Sequence, residues 1–235
     1  MPKAFVVLAG RPMLDWSVGV LDDLCDRVVA AVPPGYERGQ DRVAGGPSRS
    51  ASVRNALAAA PEATLAVVHD AARPLVTRDL VERCIEAARG AEGAIAAAPV
   101  TDTIKEAGRD GLVRRTLDRS SLWAIQTPQV FQAAVLRRAL DVEESVLAAA
   151  TDDAWLVESG GGTVRVVEAP RENLKVTTSF DLQIAEALLA SRTLDVEPMT
   201  SEEALAMEGS GWGGDLDEMR AHEPVVELPR KLPSN

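Results

Sequence analysis

An acid and a guanidinium three residues apart, placed where an apolar run stops, are the chemically suggestive core of this chain. The run Leu65-Ala66-Val67-Val68 leads into His69-Asp70-Ala71-Ala72-Arg73-Pro74. A short stretch of Leu, Ala and Val bounded by polar residues reads as a strand buried on both faces. In open α/β sheets, ligands sit just outside the carboxyl ends of such strands. There Asp70 could hold a divalent cation or a ribose hydroxyl, and Arg73 a phosphate in its planar fork. The plainer alternative is that the two pair with each other or cap the helix after Thr77. A second candidate is Val43-Ala44-Gly45-Gly46-Pro47-Ser48-Arg49-Ser50-Ala51-Ser52-Val53, a glycine turn opening an Ala-rich helix to about Ala60. Amides at a helix start, with hydroxyls and Arg49 nearby, suit an anion or a nucleotide sugar. Gly-Gly before a helix is also simply a turn.

Other chemistries lack their residues. His69 adjoins Asp70, but there is no Gly-x-Ser-x-Gly elbow for a serine hydrolase. Two cysteines and two histidines, widely spaced, build no zinc site.

The elements that must carry these residues alternate. Strands are expected at Arg27–Val32, over the Leu65–Val68 run, at Ala94–Val100 and at Thr163–Val167, with helices at about Leu14–Leu24, Arg78–Arg89 and Ser179–Ser191. Another helix follows Phe131 to about Leu140. Thr151-Asp152-Asp153-Ala154 supplies an N-cap residue and first-turn acids for a helix to about Ser159, ended by Gly160-Gly161-Gly162. The pattern is that of an α/β sheet layered by helices. The middle departs from it. Thr101–Glu106 and Gly111–Leu117 are polar strand-like runs joined by Gly108-Arg109-Asp110-Gly111, a hairpin too charged for a core. It is a solvated excursion or an arm that embraces a second subunit. Trp123 is expected in the core or a pocket wall.

The composition sets limits. The chain has 235 residues, 46% hydrophobic and 3% aromatic, so one core built mostly of Ala, Val and Leu is expected. A net charge of -11 argues against general affinity for nucleic acid or an anionic membrane. Residues 195–235 hold ten acids and three bases, so much of that charge belongs to the tail. Cys25 and Cys84 suit a reduced compartment. No signal peptide opens the chain, and no apolar run approaches the roughly 20 residues of a membrane helix. A cytoplasmic protein is expected.

Six stretches in order resemble the 2-C-methyl-D-erythritol 4-phosphate cytidylyltransferase family. They are Gly45-Gly46 with Arg49 and Ser52-Val53, His69–Pro74, Asp102-Thr103-Ile104-Lys105, Leu122–Gln129 (Leu-Trp-Ala-Ile-Gln-Thr-Pro-Gln), Thr151–Ala154, and Asn173–Thr178. The resemblance implies a Rossmann-like nucleotidyltransferase sheet flanked by helices, with a protruding β-hairpin arm, about residues 101–121, that joins a homodimer. It implies CTP and a polyol phosphate as substrates, a CDP-polyol and pyrophosphate as products, and Mg²⁺ as the divalent cation. By the same resemblance Lys3 stabilises charge at the α-phosphorus, and Arg119 and Lys175 position the attacking phosphate. Gly46, Ser52 and Asp70 contact the nucleotide, with Asp70 also at the metal. Arg73, Thr103 and Thr151 join Arg119 and Lys175 in holding the polyol phosphate, Thr103 and Arg119 acting across the dimer. Ribitol 5-phosphate cytidylyltransferase shares the scaffold. Ala72 and Lys105 favour the methylerythritol substrate. A nucleotide-binding homologue without catalysis is the reading from a different class.

Two departures from the family are visible. Family members reach Pro-Lys after a strand and a glycine-rich loop bearing an arginine, whereas here Pro-Lys is at positions 2 and 3. Without that strand, two central neighbours are expected to carry unpaired edges, and CTP turnover by the chain as written is expected to be severely impaired. The catalytic unit is expected over residues 1–193, followed by an acidic, disordered tail at 194–235. Within that tail Trp212, Leu216 and Met219 could anchor on a protein partner.

Overall fold

The computed structural model describes residues 2–39, 41–194 and 224–229. After a short 3-10 turn at Lys3–Phe5, strands β1 (Val7–Leu8) and β2 (Arg11–Pro12) form a small hairpin turned through Ala9 and Gly10, both at positive φ. Helix α1 (Met13–Asp22), β3 (Cys25–Val32), β4 (Arg42–Ala44) and α2 (Arg49–Ala58) follow. Next come β5 (Leu65–Asp70), α3 (Arg78–Ala88) and β6 (Gly93–Pro99). Strands β7 (Lys105–Ala107) and β8 (Val113–Thr116) precede β9 (Trp123–Gln132) and helices α4 (Ala133–Leu140), α5 (Glu144–Ala149) and α6 (Asp153–Ser159). Strand β10 (Val164–Glu168), α7 (Ser179–Leu194) and β11 (Pro224–Pro229) complete the described elements.

Seven strands form one mixed sheet in the order β10-β6-β9-β5-β11-β3-β4. Strands β9 and β11 run against the other five. All six residues of β5 are buried, as a strand covered on both faces requires. Its alternation sends Ala66 and Val68 into a core with α2, α4 and α6, and Leu65 and Val67 into a core with α1 and α3. Helices begin where the chain offers oxygen acceptors. Ser48 caps α2, Thr77 caps α3 and Asp152 caps α6, each accepting a hydrogen bond from an amide three residues on. Strands β7 and β8 pair as the expected antiparallel hairpin, exposed along both strands.

Three observations depart from expectation. Strand β11, from the acidic tail, lies between β3 and β5 and runs antiparallel to both. The two neighbours expected to carry unpaired edges are therefore satisfied, and the tail is not apart from the sheet throughout. An open slot between two central strands presents two rows of unmet backbone groups; Val225 and Val226 favour the extended conformation, while the two prolines, which donate no hydrogen bond, stand at the ends of the segment. Trp212, Leu216 and Met219 lie outside the described residues. Trp123 is 37% exposed rather than buried, because β9 begins on the hairpin side of the sheet and becomes fully covered only from Thr127 onward. Helix α5 has no counterpart among the expected elements; one and a half turns are too short for a periodic signal.

Two outcomes test this packing. A Cβ at Gly93 would meet the Phe131 ring at 2.4 Å, so Gly93→Ala is expected to lower stability by about 1–3 kcal/mol, read as a lower urea midpoint at unchanged slope. Deleting residues 224–229 is expected to speed amide exchange in β3 and β5, which would regain open edges.

Candidate functional site

A cavity of about 500 Å³ opens at the carboxyl end of β5. Strand β5 supplies Asp70, and the turn after it supplies Arg73. The start of α2 supplies Ser48 and Arg49, β9 supplies Gln126, Thr127 and Gln129, and the approach to α6 supplies Thr151 and Asp152. Lys175 closes the rim from the loop before α7. That loop is pinned to the turn, since Val176 N–H donates to the Ala72 carbonyl at 2.8 Å and the Asn173 carbonyl accepts from Arg73 Nη1 at 2.7 Å.

Asp70 is nearly buried, with 7% of its surface exposed. Its Oδ1 accepts from Arg49 Nε at 3.1 Å and its Oδ2 from Lys175 Nζ at 2.8 Å. Burial alone would push the carboxyl upward, but the two cations hold it well below the usual carboxylate range. Asp70 is thus an anion at any pH near neutral. It pairs with neither Arg73 nor the α3 terminus, which removes the plainer reading of the sequence. Arg73 is also buried, and its Nε has no partner among the described residues.

Beneath these groups lies a small relay. Asp70 N–H donates to Thr127 Oγ1 at 3.0 Å, Thr127 Oγ1 lies 3.1 Å from His69 Nδ1, and His69 Nε2 lies 3.1 Å from the Arg73 carbonyl. A carbonyl can only accept, so the network assigns the proton to Nε2 and leaves Nδ1 to accept from the threonine hydroxyl. His69 so ties both ends of the Asp70–Arg73 turn. Its burial lowers its pKa to about 4.

The remaining residues expected at the site fall into three groups. Thr151 lines the cavity with Asp70, Arg73 and Lys175. Lys3 is buried in the first 3-10 turn. Its pKa is lowered by that burial and by Lys175, while Asp181 and Asp70 oppose the shift, so it shares the electrostatic neighbourhood of the cavity without lining it. Gly46 and Ser52 stand at the α2 turn and bond to each other, Gly46 N–H donating to Ser52 Oγ at 3.0 Å, while Ser52 donates to the Ser48 carbonyl at 2.9 Å. A Cβ at Gly46 would approach Ala51 to 2.5 Å, so the turn requires glycine. Thr103 and Arg119 are not brought to the cavity. Both are exposed on the hairpin side, and Arg119 Nη1 donates to the Thr101 carbonyl.

Arg49 is more constrained than its sequence suggests: its guanidinium is held between Asp70 through Nε and Asp153, whose Oδ2 accepts from Nη1 at 2.5 Å. Those carboxylates raise the arginine pKa further although burial opposes the charge. Asp153, a first-turn helix acid by sequence, has no exposed side-chain surface at all. Its partnership with a residue 104 positions away leaves no local signal. Gln129, the last residue of the Gln-Thr-Pro-Gln stretch, is a further wall residue to which the sequence assigned no role; its Nε2 holds Asp152 Oδ2 at 2.9 Å from inside β9.

Among the described residues no three His, Cys, Asp or Glu side chains converge as a metal cluster, and no helix is long and apolar enough to cross a membrane.

The histidine relay carries a pH dependence. The ordinary imidazole value of 6.5 lies above the folded value near 4, so between them the unfolded chain binds the extra proton. Stability from this group is intact above pH 6.5 and falls as pH drops toward 4, by roughly 3 kcal/mol in all. Urea unfolding at stepped pH is expected to show that loss, and His69→Gln to flatten it.

The site can be set beside known proteins. The family model for 2-C-methyl-D-erythritol 4-phosphate cytidylyltransferase matches residues 1–191. A cytidylyltransferase of that name from Rubrobacter xylanophilus is 43% identical, over 81% of this chain and 89% of its own length. One from a Synechococcus strain is 40% identical, over 81% and 91%. Among solved structures, the Thermus thermophilus cytidylyltransferase superposes with a TM-score of 0.72 at 37% identity, over 80% of this chain and 94% of that one. The Francisella tularensis enzyme gives 0.69 at 31%, over 79% and 92%. On matched length, identity and fold together, the chain belongs to the 2-C-methyl-D-erythritol 4-phosphate cytidylyltransferase family.

Proposed function

We propose that this chain transfers a cytidylyl group from CTP to 2-C-methyl-D-erythritol 4-phosphate, releasing pyrophosphate and forming the CDP-polyol. The observation that carries the reading is an ionised, nearly buried Asp70 held between Arg49 and Lys175 at the mouth of a cavity that Arg73 also lines. The substrate phosphate oxygen forms a bond to the α-phosphorus as the bond from that phosphorus to the pyrophosphate oxygen breaks. Such a transfer asks little covalent help of the protein. It asks for cations around a crowded phosphorus and for two anions held in line. Lys175 and Arg73 meet that need at the cavity for the attacking phosphate, with Thr151 as a hydroxyl partner. Lys3 is the cation for the α-phosphorus. Its lowered pKa reflects burial and a crowding of positive charge that a polyanion would relieve. Gly46 and Ser52 form the turn against which the nucleoside lies.

The residues present also fit a divalent cation of the Mg²⁺ type. That ion takes one or two carboxylates and fills its remaining positions with phosphate oxygens and water. Asp70 supplies one carboxylate with spare lone pairs, which suffices where no multi-acid cluster exists among the described residues. Bound there, Mg²⁺ would neutralise triphosphate charge. Thr103 and Arg119, remote from the cavity of their own chain, reach a cavity if the exposed β7–β8 hairpin embraces a second copy. The protein then works as a cytoplasmic homodimer with its sites at the arms.

The test is pyrophosphate release from CTP and Mg²⁺ with each polyol phosphate in competition. Of the polyol phosphates, methylerythritol phosphate is expected to be the accepted partner at whatever rate the chain sustains, and ribitol 5-phosphate as the only accepted partner would overturn the assignment. Lys175→Gln is expected to lower kcat by about 100-fold or more, the scale of losing one charge-stabilising donor.

A further inference from the structure

Asp153 has no role in the contacts described so far beyond holding Arg49, yet it is an acid with no exposed side-chain surface, placed one residue from a cavity wall. Burying a carboxylate is unfavourable unless it is paired and fully bonded. Asp153 is only half satisfied, because Oδ2 takes Arg49 Nη1 while Oδ1 has no partner among the described residues. Replacing a buried pair by apolar side chains is often neutral or stabilising, so fold stability alone is a weak reason for this acid.

The geometry supplies a better one. The guanidinium of Arg49, on the first residue of α2, spans two carboxylates from different segments: Asp70, which lines the cavity, and Asp153, which stands behind its wall. The guanidinium lies 2.5 Å from Asp153 through Nη1 and 3.1 Å from Asp70 through Nε. The tight bond is the one to the acid that faces no substrate. Asp153 is itself anchored as the first residue of α6. It directly follows Asp152, whose two oxygens are fixed by Trp155 N–H and Gln129 Nε2 at 2.9 Å each.

We propose that Asp153 is a positioning residue that draws Arg49 away from Asp70, so that the Asp70 carboxylate keeps lone pairs for the cation and ribose of the nucleotide. The inference rests on the reading of Asp70 given above. Arginine and carboxylate prefer a two-pronged, parallel contact. With the Asp153 carboxylate replaced by an amide, Nη1 is held only by a weaker, uncharged acceptor, and Arg49 closes on Asp70 with two nitrogens. A bound divalent cation then competes with a guanidinium for the same oxygens. In the parent, Lys175 holds Oδ2 at 2.8 Å and Arg49 holds Oδ1 through Nε alone.

Asp153→Asn keeps the volume and removes the charge. In crystals of the metal-free variant, Arg49 is expected in a two-point contact with Asp70. In calorimetric titrations, the Mg²⁺ concentration needed for half-maximal CTP binding is expected to rise about tenfold, with KM for the polyol phosphate within about twofold of the parent. The double variant Arg49→Met, Asp153→Asn removes the competing guanidinium, so its Mg²⁺ requirement is expected at or below that of the parent. A merely structural role predicts the reverse, with the double variant no better than the single. Unchanged Arg49 geometry and Mg²⁺ dependence in Asp153→Asn would overturn the proposal, as would a raised Mg²⁺ requirement in the double variant, which decides the matter alone if the single variant does not fold. Asp70→Asn separates the two readings. If it leaves the Mg²⁺ dependence unaltered, the assignment of Asp70 fails. If it alters that dependence while Asp153→Asn does not, only the positioning role fails.

Discussion

A carboxylate with 7% of its surface exposed stays charged only where cations hold it so, and the loops at the carboxyl end of the sheet are arranged around meeting that condition for Asp70. One cation comes from α2, 21 residues back, and the other from the loop before α7, 105 residues on. Each must be anchored before it can serve. Arg49 is anchored by Asp153 and by the Ser48 cap that starts its helix, and Lys175 by the bonds of its neighbours Asn173 and Val176 to the Arg73 side chain and the Ala72 carbonyl. The acid thus joins three remote segments into one rim. The neutral His69 relay below it fixes the turn that sets Asp70 and Arg73 apart.

The sheet makes this arrangement stiff. Strand β5 is buried on both faces, and its alternate residues feed two cores, so its tip cannot shift without disturbing both. On one side it pairs with β9, which brings Thr127 and Gln129 to the cavity wall. On the other it pairs with β11, whose first residue, Pro224, stands in register with Asp70 itself. A strand from the far end of the chain therefore borders the site. The backbone condition that places it there is general: central strands do not leave their amides and carbonyls unmet.

Much of this is legible in the residues. Strand β5, helix α3 after Thr77, helix α6 after the Thr-Asp-Asp step and the polar hairpin all follow from local periodicity, capping and turn chemistry, which depend on neighbours within a few positions. Asp70, Arg73, Thr151 and Lys175 stand out by type and motif, and the cavity gathers all four. Arg49 does not reveal its partners. A serine-arginine step at a helix start looks the same in sequence whether or not the guanidinium is shared between two buried acids.

The chain by itself determined most of its longer elements, its family and the residue types available for phosphate chemistry, because each of those is written in short-range pattern. Only the tertiary structure decided which charges share a low-dielectric space. The pairing of Arg49 with Asp153, the orphaned oxygen of Asp153, the neutral state of His69 and the filling of the slot between β3 and β5 are long-range outcomes. They depend on which loops converge at the strand ends and which backbone edges remain to be paired, and no local window of sequence contains that information.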